Sequence, residues 1–241
     1  MENLHEFFKN RTVLVTGGAG FIGSHLVEAL VALEANVIVI DDLSTGTLEN
    51  LRDVNGKFKF IKGDISQETV LKNLPKIDII FNEAALSLSQ SFKDPLRNLV
   101  VNAGGIINIL DLARRFDSKV IHASTGSVYG NPVKIPISED HPLNPVSPYG
   151  CSKLAAEVYC DMFYRIYGLD VCCLRYFNVY GPRQRIGEET GVIPIFVEQA
   201  LKGQPFTIHG DGSQTRDFLH VKDVVRANLL AAVSDTVKGQ K

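Results

Sequence analysis

The chain has 241 residues, 45% of them apolar and 22% charged, with a formal net charge of −2. That length and balance support one large α/β domain, or one domain with a small lobe, around a sizeable core. The charge gives no footprint for nucleic acid or an anionic membrane, so an anionic ligand must be held by a few placed cations.

Taken in chain order, short β-branched runs alternate with longer helical stretches. Residues 11–16 (RTVLVT) predict a buried strand, 22–33 a helix, and 36–40 (NVIVI) a second strand that ends at Asp41. Strands three and four are predicted at 58–61 and 77–81. A long helix over 95–116 carries Pro95 in its first turn, and a fifth strand follows at 119–123. A second long helix, 148–167, is stopped by Gly168 before a sixth strand at 171–175. The pattern then changes: 181–191 is polar and turn-rich, 192–201 helical, 206–209 a short strand and 221–233 a helix. Strands separated by helices predict right-handed crossovers and a parallel sheet, and continuous apolar strands predict cover on both faces. The expected architecture is an α/β Rossmann fold, a doubly wound parallel sheet with a smaller, truncated substrate lobe. Residues 1–177 form the dinucleotide domain. Residues 178–241 form part of the lobe, interleaved with returns to the first domain. In such folds ligands sit beyond the carboxyl ends of the strands, so those ends are the places to inspect.

The first strand runs into Gly17-Gly18-Ala19-Gly20-Phe21-Ile22-Gly23. Glycines there permit a tight turn, let backbone approach a pyrophosphate and let the following helix pack closely on the strand. The helix N-terminus offers free N–H groups and partial positive charge to phosphates. Asp41, at the tip of the second strand, suits the adenosine ribose hydroxyls and would repel a 2′-phosphate, which favours NAD over NADP. Asp42 either shares that role or is a solvated turn acid. Gly63-Asp64-Ile65 follows the third strand; Asp64 either contacts adenine or caps a helix. After the fourth strand, Ala84 and Ala85 permit close cofactor approach, whereas Glu83 has no evident role.

Tyr149 and Lys153 lie four residues apart on a predicted helix, which puts both side chains on one face. A phenol titrates near ~10, and a nearby ammonium favours its ionised form. The fifth strand ends in Ser124-Thr125-Gly126-Ser127. A hydroxyl at that tip can bond the substrate oxygen that Tyr149 deprotonates, with Thr125 the first choice and Ser124 the second.

GGAGFIGSHL, the Thr125/Tyr149/Lys153 group, LRYFNVYGPRQ and GDGSQTRDF together resemble the extended short-chain dehydrogenase/reductases that act on nucleotide sugars, and among these the UDP-glucose 4-epimerases and related UDP-hexose epimerases. The resemblance implies that Asn102 lies near the catalytic group and Tyr176 and Phe177 beside the nicotinamide. It implies that Asn178 and Arg216 hold the nucleotide diphosphate, and that Val192 and Ile193 line the uridine pocket. It also implies a homodimer through the two long helices, a nucleotide-sugar substrate, and a chain some tens of residues longer. Two departures stand out. Where relatives show His followed by an apolar residue, this chain has Asn82 and Glu83; and a 4,6-dehydratase would carry an acid pair where Gly126 and Ser127 stand. Action on a UDP-uronic acid would need a cation, for which Arg183 and Arg185 are candidates. A non-catalytic NAD-sensing protein on the same fold is the remaining alternative.

Cys151, Cys160, Cys172 and Cys173 form no CxxC pair and show no zinc spacing, so they read as thiols in a reducing compartment and no metal is expected. The N-terminus lacks an apolar leader, and no apolar run reaches the ~18 residues that span a bilayer. The expectation is a cytoplasmic enzyme with no membrane or nucleic-acid partner.

Overall fold

A computed structural model of the chain describes residues 2–185 and 191–241. The predicted polar stretch 181–191 therefore falls partly outside the described residues. Helix α1 (Glu2–Phe8) leads into strand β1 (Thr12–Thr16), helix α2 (Phe21–Ala32) and strand β2 (Asn36–Asp41). Strands β3 (Phe58–Lys62) and β4 (Ile79–Asn82) follow, then helices α3 (Leu88–Lys93), α4 (Pro95–Leu99) and α5 (Gly105–Phe116). Strand β5 (Lys119–Thr125), helix α6 (Pro148–Tyr167) and strand β6 (Val171–Tyr176) complete the main sheet. Beyond it lie β7 (Asn178–Tyr180), α7 (Val192–Leu201), β8 (Phe218–His220) and α8 (Val221–Val233). Among the described residues, no helix is long and apolar enough to cross a membrane.

The six main strands are all parallel, in the order β3-β2-β1-β4-β5-β6. Chain direction across the sheet reverses between β1 and β4, and a crevice opens there at the carboxyl ends of the strands. Alternation along each strand feeds two cores. Val13, Val15, Val39 and Phe81 pack on one face against Leu26 and Leu30 of α2 and Leu229 of α8. Leu14, Ile38, Ile40 and Ile80 pack on the other against Ile106, Ile109 and Leu110 of α5 and Phe163 of α6. Both faces are thus covered, which is why these strands read as continuous apolar runs.

Two predicted elements differ, and four others were not anticipated. The helix expected over 95–116 is α4 and α5 joined by one π-helical turn, Val100–Gly104. No strand forms at 206–209: Phe206 and Ile208 are exposed, and the segment has no neighbouring strand to pair with among the described residues. The second sheet is made instead by β7 and β8, paired in parallel and not anticipated from the sequence. Helices α1 and α3 were not anticipated either, although α3 opens with a capping box, Ser87 to Gln90, that the sequence displays.

One buried ion pair ties α6 to β6. The Arg175 guanidinium forks onto the Glu157 carboxylate, with Nε–Oε1 at 2.9 Å and Nη2–Oε2 at 2.6 Å. The Glu157 side chain is 0% exposed and that of Arg175 7%. Arg175 also donates to the Tyr129 hydroxyl at 2.8 Å, and Ser124 donates to Glu157. Removing one partner strands a desolvated charge, so Glu157→Ala is expected to lower stability by about 3–5 kcal/mol. Urea unfolding monitored by circular dichroism checks this; a loss below about 1 kcal/mol would show that water or rearrangement satisfies Arg175.

Candidate functional site

Two adjoining cavities open at the carboxyl edge of the sheet. The first, ≈340 Å³, runs from the tips of β2 and β3 over the β1–α2 turn to α6. Gly17, Gly20, Phe21, Ile22 and Gly23 line its middle. Gly17 has φ +65°, and a Cβ there would sit 2.7 Å from the Ala84 amide nitrogen. A Cβ on Gly23 would sit 2.3 Å from the Gly17 carbonyl oxygen, so helix and turn could not approach as they do. No side chain caps α2, which leaves its first-turn amides open to an anion in the cavity. A backbone cradle of this kind fits the pyrophosphate of a dinucleotide.

At one end of this cavity lie Asp41, Asp42, Asp64 and Ile65. Asp41 is buried, its Oδ2 accepting from the Ala19 amide at 2.9 Å and its Oδ1 from the Leu43 amide at 2.8 Å. Burial raises its pKa, the two amide bonds oppose this, and the neighbouring Asp42 charge adds to the rise. Each oxygen keeps a lone pair for a ribose hydroxyl. Asp42 accepts from the amide and hydroxyl of Ser44, an Asx turn at the cavity rim. Asp64 accepts from the Ser66 amide and pairs with Arg97. Burial pushes its pKa up, but the bonds from Arg97 and Ser66 outweigh that and hold it lowered.

At the other end lie Glu83, Ala84, Ala85, Ser124, Tyr149, Lys153 and Tyr176. Lys153 is 2% exposed, and burial brings its ammonium down to about 8 despite the opposing charge of Glu83. Burial raises the Tyr149 phenol, a hydrogen bond from Thr125 lowers it, and Glu83 raises it. The sequence led us to expect Lys153 to draw Tyr149 toward the phenolate. In the structure burial dominates the phenol, and Lys153 is instead balanced by Glu83. Glu83, without a role in the sequence, accepts a hydrogen bond from the Tyr176 hydroxyl at 3.0 Å. Burial carries its carboxyl up to about 7, opposed by the Tyr176 bond and by Lys153.

The second cavity is lined by Thr125, Gly126, Tyr176, Asn178 and Arg216, among others. Thr125 accepts from the Ser127 amide at 3.1 Å, donates to Ser127 Oγ at 3.3 Å, and lowers the pKa of the Tyr149 phenol. Tyr176 lines both cavities. Asn178 is exposed and donates to the Asp217 carbonyl at 3.1 Å, which links β7 to the segment carrying Arg216. Arg216 is exposed, and its guanidinium donates to the adjacent Thr215 carbonyl at 2.8 Å.

Three predicted site residues, Asn102, Val192 and Ile193, are not brought to these cavities. Asn102 is fully enclosed in the π-helical turn, accepting from the Leu86 amide at 2.8 Å and donating to Ser152 Oγ at 3.0 Å. It props the loop that walls the first cavity and touches neither. Val192 sits at the start of α7, 39% exposed, and does not line the second cavity. Ser124, the second choice for a substrate-binding hydroxyl, spends its proton on Glu157. Sequence reasoning missed Leu86, Ser87 and Val101 in the wall of the first cavity; Phe177, expected beside the nicotinamide, does not line that cavity and lies in the second, close to Gly126. Among the described residues, no group of three or more His, Cys, Asp or Glu side chains is placed to hold a metal ion.

Comparison with known proteins agrees with this geometry. The family model described as NAD dependent epimerase/dehydratase matches residues 13–240. A protein named as a putative UDP-glucose 4-epimerase from Methanocaldococcus jannaschii is 44% identical over 224 residues, covering 91% of this chain and 72% of that protein. An epimerase structure from Methanothermobacter thermautotrophicus superposes with a TM-score of 0.93 at 35% identity, over 99% of this chain and 72% of that one. A UDP-glucose 4-epimerase from Thermotoga maritima, solved with UDP-glucose, gives a TM-score of 0.87 at 42% identity over 92% of this chain and 73% of that one. The chain belongs to the NAD dependent epimerase/dehydratase family, with NAD as its cofactor.

Proposed function

We propose that this protein inverts carbon 4 of a UDP-hexose through a transient 4-keto sugar. The observation that carries the reading lies at the junction of the two cavities: the placement of Tyr149 in the wall of the first and Thr125, which lowers the pKa of that phenol, in the wall of the second, with Tyr176 lining both. One side of that junction presents the glycine cradle and Lys153. The other presents Asn178 and Arg216. A cofactor in the first cavity and a sugar nucleotide in the second would meet at the phenol.

The residues that would hold NAD are the Gly17–Gly23 turn at the pyrophosphate, Asp41 with Asp42 and Asp64–Ile65 at the adenosine, and Ala84, Ala85, Tyr176 and Lys153 at the nicotinamide half. NAD, when bound, supplies a hydride acceptor and donor at carbon 4. Tyr149 takes the proton of the 4-hydroxyl and later returns it. Thr125 donates to the same oxygen and stabilises the charge that develops there. Lys153, one helical turn along α6, would bind the ribose of the nicotinamide half, its charge balanced by Glu83. Arg216 offers a planar fork to the diphosphate, and Asn178 a second contact. Grip on the nucleotide alone leaves the hexose free to turn over. The segment 178–241 supplies this substrate side, while α8 within it returns to the main sheet.

The junction favours epimerisation over dehydration. A side chain at Gly126 would come within 2.9 Å of the Phe177 ring, so an acid there would displace that ring. Arg183, a candidate cation for a uronate, is instead committed to Glu28 and Ser24 on α2.

We also propose a homodimer. Helices α3, α4 and α6 pack together and leave Phe92, Leu96, Val158 and Ile166 between 56% and 71% exposed. A second copy of the same helices is the occupant that resemblance to dimeric relatives suggests.

Two outcomes are expected. Tyr149→Phe should bind NAD as the parent does yet invert carbon 4 at least ~100-fold more slowly. NMR of UDP-glucose, UDP-N-acetylglucosamine and UDP-glucuronate incubated with the protein reads this directly, and near-parental turnover would refute the assignment. Leu96→Glu combined with Val158→Glu should convert a dimer to a monomer in light scattering after size exclusion; an unchanged mass would refute that interface.

A further inference from the structure

A lysine ammonium and the cationic ring of an oxidised nicotinamide repel each other, and Lys153 is enclosed at 2% exposure. A cavity that must hold both needs an anion at the same end. Among the described residues, four carboxylates line the first cavity: Asp41, Asp42, Asp64 and Glu83. The first three stand at the tips of β2 and β3, and all three are occupied by backbone amides or Arg97. Glu83 alone stands at the Lys153 end. It immediately follows β4 and is followed by Ala84, whose amide is held by Thr16 Oγ1 at 3.3 Å.

Its orientation is fixed from behind. Tyr176 donates to Glu83 Oε1 at 3.0 Å, and Asn228 Nδ2 donates to the Tyr176 oxygen at 2.6 Å. Asn228 is 0% exposed and also donates to the Val224 carbonyl at 2.9 Å. The phenol therefore has its acceptor position filled from α8, and its proton points at the carboxylate. This chain of donors runs from the protein interior toward the cavity and ends on Glu83.

We propose that Glu83 is a positioning residue for cofactor charge: its carboxylate, aimed by Tyr176 and Asn228, makes the cavity prefer oxidised over reduced NAD. The inference rests on the proposed placement of the nicotinamide half beside Tyr149 and Lys153. Its function follows from the reaction proposed above. An epimerase has no net redox step, so a reduced cofactor left after an aborted turnover inactivates the site. A fixed anion makes return of hydride to the keto sugar more favourable.

The groups facing Glu83 are Tyr176 from β6 and Lys153 and Tyr149 from α6, with His122 from β5 and Glu157 from α6 acting on Lys153 behind. Burial brings the Glu83 carboxyl up to about 7 and His122 well below its ordinary value, so His122 stays neutral while Glu83 gains charge as pH rises through neutrality. The preference for NAD+ should then grow between pH 6 and pH 8.

Isothermal titration of the full chain with NAD+ and, separately, with NADH tests this. In the parent protein the affinity ratio of NAD+ to NADH is expected to rise by on the order of tenfold from pH 6 to pH 8, the scale of one nearby unit charge at an intermediate dielectric. Glu83→Gln should shrink that rise to the part set by Lys153, which itself loses charge toward pH 8, and lower the ratio at pH 8, while Glu83→Asp should retain it. A purely structural role for Glu83 would weaken both cofactors alike. A flat ratio in the parent, or a Glu83→Gln ratio equal to the parent's at pH 8, would overturn the proposal. If the parent bound neither cofactor, the proposal would fall together with the placement of the dinucleotide. If NAD bound well with a flat ratio, only the role of Glu83 would fall.

Discussion

Three strands of the sheet are fastened side to side by buried polar side chains immediately below the site. Thr16 on β1 donates to Asn82 on β4 at 2.7 Å, and Asn82 Nδ2 meets His122 Nδ1 on β5 at 3.0 Å. All three residues are at most 1% exposed. In so dry a place each of these groups would cost on the order of 1–3 kcal/mol if left unpaired, so the three hold one another in a single arrangement. Burial and Lys153 keep His122 neutral, which lets it accept from the amide. The consequence reaches the cavity directly. Thr16 Oγ1 also receives the Ala84 amide, and the Ala84 backbone is the surface on which Gly17 packs. One wall of the dinucleotide cradle is thus held by the Thr16 hydroxyl, and the other, at Gly17, by the Ile40 carbonyl at 2.7 Å.

The same construction recurs around the end that holds Tyr149 and Lys153. Glu157 and Arg175 lock α6 to β6 beside Tyr149 and Lys153, and Ser124 is drawn into that lock. On the opposite wall, Asn98, Asn102 and Ser152 form a closed amide–hydroxyl cluster that carries the Leu86 loop. The side chains proposed for chemistry are thus few, and buried polar residues behind them hold the elements that carry them. Such support is what fixes side chains to within the fraction of an ångström that proton transfer demands.

What the sequence made legible was local. The glycine turn announces itself because a strand, three glycines and a helix follow one another without a gap, and Tyr149 and Lys153 share a face through helical spacing alone. The six-strand alternation was legible for the same reason: each strand's apolar run is bounded by its own turns. The illegible parts depend on partners far along the chain. Asn102 resembles a site residue by position, but its amide is claimed by Leu86 and Ser152, the latter 50 residues away. Ser124 and Thr125 are adjacent hydroxyls, and only the structure shows that Ser124 turns to Glu157 and Thr125 to Ser127 at the second cavity. Phe206 and Ile208 alternate as a strand should, yet a strand needs a neighbour and β7 pairs with β8 instead. Glu83 was unreadable because its meaning lies in Tyr176 and Asn228, contributed by β6 and α8.

Asp41 gives this architecture a consequence for evolution. Its two oxygens brace the Ala19 and Leu43 amides, and Gly46 lies close enough that a Cβ there would come within 2.9 Å of both oxygens. The acid that would discriminate against a 2′-phosphate is therefore also the keystone of the loop around it. Exchanging it for a smaller residue to admit a phosphorylated cofactor would slacken the phosphate cradle in the same stroke. Lineages that switch coenzyme on this scaffold must rebuild the neighbouring loop together with the acid, so selectivity of that kind is inherited as a block and not one substitution at a time.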